Sequence, residues 1–309
     1  MTTTIHRPMT PEDTLVYESH KRMRQTTIAA AAGVLLLLAA ITGLIGPHAK
    51  VSEQTLSLIT QHKRATLSIL SAAINAVSEI GIAATLVYLW QCTRRRAENT
   101  LAIAPILAIV GVTLAVVGGV VYAFEISSKA NEFVTTGAQT YDEANRLTGG
   151  AGLLVLQVLS QLGALLIAIS FVLVSLQTMR VGLLPRFMGY VGMFAGFLVL
   201  FPIIVIPVVQ LYWLLAIAIL LSGNWPSGLP PAWRSGRAEA WPSSAEARAR
   251  RAAAGEASLE QRSARKRGAH RERVSDAPDL TSGASGLSGN DSDARTRSGT
   301  PKRKRKRRH

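Results

Sequence analysis

The chain has 309 residues, 48% of them hydrophobic, with 34 Lys+Arg against 19 Asp+Glu and a formal net charge of +15. Its mean hydropathy of +0.24 averages two populations: long apolar runs up to about Leu221, and a polar, Arg-rich remainder that carries most of the positive excess beyond Trp233. Cys92 is the single cysteine, which excludes an intrachain disulfide and a cysteine-based metal cluster within one chain.

Residues 1–27 are polar. Thr10-Pro11-Glu12-Asp13 has the pattern of a helix start, with a Thr N-cap, Pro in the first turn and acids beside it. Leu15, Val16 and Met23 would then rest on a membrane surface, with Lys21, Arg22 and Arg24 beside the headgroups. The first apolar run, residues 28–45, exceeds the usual core of a signal peptide and lacks a clear cleavage site at Gly46-Pro47-His48, so it reads as an uncleaved span. A polar loop follows from Val51 to Arg64, then a second span at 67–90, a short loop with Arg94, Arg95 and Arg96, and a third span at 101–124. Glu125 to Gly150 reads as a longer loop and 151–176 as a fourth span.

Phe187 to Leu221 is a run of 35 residues without a charge. As one helix it would be about 52 Å long, against a hydrocarbon core of about 30 Å. It must fold back, and Pro202 and Pro207 mark the place. The expectation is a hairpin of two short spans, 185–201 and 207–223, giving an all-α, polytopic transmembrane bundle of six spans over residues 28–223.

Lys and Arg concentrate on the cytoplasmic side of membrane proteins. An internal N-terminus puts Arg7, Lys21, Arg22, Arg24, Arg94, Arg95, Arg96, Arg180, Arg186 and the basic tail inside. The outer loops then keep Lys50, Lys63, Arg64, Lys129 and Arg146, among which the Lys63-Arg64 pair is discordant. Both termini are expected to be cytoplasmic. A re-entrant hairpin would leave five spans and an external basic tail, against the same charge rule.

Trp225, Trp233 and Trp241 follow the last span among Pro226, Pro230, Pro231 and Pro242. Tryptophan favours the headgroup zone and dense proline disfavours helix, so 224–242 reads as an extended interfacial strip anchored by the three indoles. Residues 243–309 read as a disordered basic tail with helical tendency in its Ala/Arg/Glu-rich first half. Its terminal Lys/Arg run suits anionic lipid headgroups, while the scarcity of aromatics argues against stacking on nucleic-acid bases.

The motif Gly182-Leu-Leu-Pro-Arg-Phe-Met-Gly189, with Tyr212-Trp213-Leu214, Asn224-Trp-Pro-Ser-Gly-Leu-Pro-Pro-Ala-Trp233 and Trp241-Pro242, resembles a group of uncharacterised actinobacterial integral membrane proteins. The resemblance implies a bacterial plasma-membrane location. It implies no activity and no functional residues.

Among candidate site residues, Glu79 lies midway along the second span. A carboxylate at the bilayer centre costs about 2.5–3.5 kcal/mol on insertion scales, so it should face other helices. Asn75 is one turn earlier on the same face, and Gln157 and Gln161 form an i, i+4 pair in the fourth span. Contact between these spans would gather Asn75, Glu79, Gln157 and Gln161 into one polar cluster, either a proton or cation site or an interhelical hydrogen-bond clamp. Gly189, Gly192 and Gly196 give the fifth span a small-residue face for close helix packing, with self-association as a second use.

No phosphate loop, zinc-protease motif or serine elbow occurs, and His6, His20, His48, His62, His270 and His309 are nowhere one helical turn apart. A non-enzymatic membrane protein is expected, with neither metal nor cofactor. Its favoured role is structural or regulatory, and the alternative is a small-solute or ion permease using the Glu79 cluster.

Overall fold

A computed structural model of the chain describes residues 11–45, 54–97, 100–201, 207–226, 228–239, 241, 246, 248–249 and 252–261. Thr10, the Gly46-Pro47 stop, Pro202 and the terminal basic run lie outside the described residues. Every regular element among those described is α-helical. The chain divides into two units, Met1–Pro242 and Ser243–His309.

In the first unit, α1 (Pro11–Leu44), α2 (Gln54–Arg94), α3 (Ile103–Thr135) and α5 (Ala151–Arg180) are long helices; α4 (Tyr141–Thr148) and α8 (Pro231–Ser235) are short. The four long helices are long and apolar enough to cross a membrane. α6 (Arg186–Leu200) and α7 (Val208–Ser222) form the expected hairpin: Gln210 Nε2 donates to the carbonyl of Ala195 and Trp213 Nε1 to that of Met188, both at 3.2 Å. At 15 residues each they rise about 22 Å, less than the hydrocarbon thickness.

The side chains are distributed as lipid demands. Ile106, Ile109, Val117 and Phe124 on α3, and Phe187, Phe194 and Phe197 on α6, face outward. The contact faces are small: a Cβ on Gly163 of α5 would run into the backbone nitrogen of Ala115 in α3, and one on Gly118 of α3 would lie 2.7 Å from the Ser160 nitrogen. Lipid tails are as apolar as leucine, so helices here gain by close backbone approach and by interhelical hydrogen bonds rather than by hiding oily surface. Ser71 and Ser78 of α2 donate to Ala39 and Ala32 of α1 at 2.9 and 2.8 Å, and Ser170 of α5 donates to Ala104 of α3 at 2.9 Å.

The long helices outrun the expected spans. α1 begins at Pro11 and enters the apolar run without a break. α2 has 41 residues, about 62 Å, because 54–66 contains neither Gly nor Pro and continues the helix where a polar loop was expected. α3 likewise continues to Thr135. With α4 these extensions enclose a small apolar cap of Leu58, Ala130, Phe133, Ala144 and Leu147. α4 is capped by Thr140, which accepts from the Glu143 nitrogen, while the Glu143 carboxylate accepts from the nitrogen of Gln139, one residue before the cap.

The opposite end of the bundle is closed by α8, which corrects the expected extended strip. Pro230 and Pro231 precede the helix or sit in its first turn, where a missing N–H costs little, and Gly236 ends it at φ 67°. In the second unit, residues 252–261 are helical and exposed, and most of the expected disordered tail lies outside the described residues.

Candidate functional site

α2 carries one polar stripe. Gln61, Arg64, Ser68, Ser71, Asn75 and Glu79 follow one another at intervals of three or four residues. At about 100° per residue they fall within an arc of about 80°. The stripe begins in the extension at the α4 end and stops at Glu79, after which Ile82, Leu86 and Leu89 continue the face. Gln61 Nε2 donates to Ser68 Oγ at 3.0 Å, Arg64 Nη2 donates to the carbonyl of Gly43, and Asn75 Nδ2 donates to Glu79 Oε1 at 2.8 Å.

Glu79 is half-buried and faces a cavity of about 420 Å³ between α1, α2, α5, α6 and α7. Ser71, Asn75 and Gln210 supply further polar atoms, and Leu36, Ile82, Ile167, Phe171 and Leu198 its apolar walls. A second cavity, about 380 Å³, is lined by Gly43, Gln61, Arg64, Ser68, Tyr122 and again Ser71 and Asn75. The two cavities therefore share a boundary along the stripe, which leads from the α4 end to the carboxyl.

Asn75 and Glu79 are joined as expected, while Gln157 and Gln161 are not brought to them. Gln157 is exposed on α5 and lines a third cavity beside Ser57, Gln61 and Tyr122; Gln161 is exposed. Both helices start at the α4 end, but Gln157 lies only six residues beyond Ala151 whereas Glu79 lies twenty-five beyond Gln54. Ala164, Ile167 and Phe171 are the α5 residues that reach the Glu79 cavity.

The glycines of α6 serve packing within the chain. A Cβ on Gly189 would meet Met179, one on Gly192 would meet Ser175 and Trp213, and one on Gly196 would meet Ala168 and Phe171. That face is covered by α5 and α7.

Among the interfacial tryptophans, Trp225 and Trp241 are half-buried, but Trp233 corrects the expectation. It is 4% exposed, donates to the carbonyl of Leu183 at 3.0 Å and stacks on Tyr88 with ring centroids 6.4 Å apart. The guanidinium carbons of Arg22 and Arg96 lie 5.5 and 5.3 Å from its ring centroid. Arg96 also forms a two-point ion pair with Glu18 of α1, both side chains buried, and donates to the carbonyl of Ala232. Sequence reasoning missed this cluster because Glu18 sits in an ordinary polar stretch and meets Arg96 only through the fold.

Residues 31–225 match the model of a family described as a domain of unknown function, DUF4386. The chain belongs to this family. The matched region includes the whole stripe and the Glu79 cavity, and leaves out Glu18, Arg22 and Trp233. No curated protein and no solved structure matches the chain.

Proposed function

We propose that this DUF4386 protein is a non-enzymatic small-solute permease of the bacterial plasma membrane, with Glu79 as its proton-carrying group. The observation behind it is that Glu79 faces a cavity continuous with a polar stripe, rather than packed side chains. An ionisable group at mid-membrane beside a cavity marks a solute or proton path by default. Permeation takes precedence over a purely structural or regulatory role because a clamp alone would need neither the cavity nor the stripe. In this reading α6 and α7 are the fifth and sixth spans. The α8 end, with Arg22, Arg24, Arg94, Arg95, Arg96, Arg180 and Arg186, is cytoplasmic, and so are both termini. The basic tail lies against anionic headgroups.

Proteoliposomes loaded with a pH dye and offered a panel of small solutes test this. At least one solute should acidify the interior faster with the natural chain than with Glu79→Gln, which keeps the shape and the Asn75 contact. Identical traces for every solute would sink the proposal.

A further inference from the structure

We infer that the cavity around Arg64 is a binding site for the acidic group of an anionic amphiphile, a carboxylate or phosphate carried on a hydrocarbon body. This names the solute class of the permease and rests on that reading for transport, though not for binding. Arg64 stands three residues before the apolar run of α2 and lines a cavity of about 380 Å³. One of its nitrogens, Nη2, is held by the carbonyl of Gly43 near the end of α1. Its Nε is buried and has no hydrogen-bond partner. None of the described residues lining the cavity is acidic. A helix C-terminus offers only a partial negative charge. A buried guanidinium N–H left unpaired is costly, and the group that satisfies it best is an oxyanion, which the planar guanidinium can grip at two points.

The neighbouring side chains suit the same guest. Ser68 Oγ accepts from Gln61, which leaves its own O–H to donate. The hydrocarbon body has a place as well. The cavity shares Ser71 and Asn75 with the one around Glu79, whose walls include Leu36, Ile82, Ile167, Phe171 and Leu198. An acid whose head rests at Arg64 therefore points its apolar part toward the centre of the bundle. The acidic group has two possible sources, a free acid or a membrane lipid.

The full chain in nanodiscs of phosphatidylcholine, titrated with decanoate in a calorimeter, provides the test. Decanoate should bind, and decanol, with the same body and no charge, should bind about tenfold more weakly or worse. Arg64→Gln should weaken decanoate by a similar factor and leave decanol unchanged. Native mass spectrometry separates the sources: phosphatidylglycerol that stays with the natural chain and is lost from Arg64→Gln identifies a lipid headgroup as a guest, and decanoate binding without retained lipid identifies a free acid. Equal decanoate affinity in both chains, with no anionic lipid retained by either, would overturn the inference. Should Arg64→Gln fail to fold, Gln61→Leu with Ser68→Ala removes the neighbouring donors, and undiminished decanoate binding there would equally count against the site. Glu79→Gln proteoliposomes that acidify like the natural chain, alongside charge-dependent binding at Arg64, would remove the permease and leave the site.

Discussion

Arg96 and Glu18 meet through two nitrogens and two oxygens, at 2.5 and 2.6 Å, although 78 positions separate them in the chain. Arg96 also grips α8 through Ala232, so one guanidinium ties together α1, α2 and α8. Removing one partner leaves the other charge buried and unpaired, which costs about 3–5 kcal/mol. Glu18→Ala or Arg96→Ala should lower the thermal midpoint in detergent markedly. The paired change Glu18→Leu with Arg96→Met should recover much of that loss. A single variant melting with the natural chain would refute the pair's importance.

Trp233 fills the same end of the bundle. Trp233→Phe keeps most of the buried ring and loses the hydrogen bond to Leu183, a change of about 1 kcal/mol. Trp233→Ala should cost about 3–5 kcal/mol and expose the segment after α7 to protease. Equal digestion rates for the natural chain and Trp233→Ala would contradict the anchoring role.

The seam between α3 and α5 rests on backbone approach. Gly163→Ala places a methyl against the Ala115 nitrogen and Gly118→Ala one against Ser160, so both should destabilise the fold. Gly152, also in α5, has open space where a Cβ would go, and Gly152→Ala should stabilise by about 0.5–1 kcal/mol. Thermal midpoints of the three variants should separate in that order; a tolerated Gly163→Ala would show that the seam can widen.

Cys92 is 2% exposed and is the single thiol. A maleimide should leave it untouched in the folded protein and modify it fully after denaturation. That inert background allows topology to be read from added cysteines. In intact cells an impermeant maleimide should label Asn145→Cys on α4 and spare Arg237→Cys just after α8, both of which are exposed positions. The reverse pattern would invert the proposed orientation.

The apolar runs were legible in the sequence because length and the absence of charge suffice to identify them. The helical extensions were harder: 54–66 and 125–135 look like loops by polarity, yet neither contains a residue that stops a helix. Once α2 is known to start at Gln54, Gln61 and Arg64 join the polar stripe by spacing alone, whereas Ser68, Ser71, Asn75 and Glu79 already lay within the expected span. Gln157 was misplaced relative to Glu79 because α2 begins at Gln54, well before its apolar run, while α5 begins at Ala151 where its own run does. Trp233 was misread because prolines that break a helix interior are harmless at its first turn.

The polar stripe ends at Glu79, and Ile82, Leu86 and Leu89 take its place below. In the permease reading, polar side chains therefore line α2 on one side of the carboxyl and apolar ones on the other. Passage of a guest beyond Glu79 in that reading requires the half of α2 that carries Ile82, Leu86 and Leu89 to part from its neighbours in an alternate arrangement.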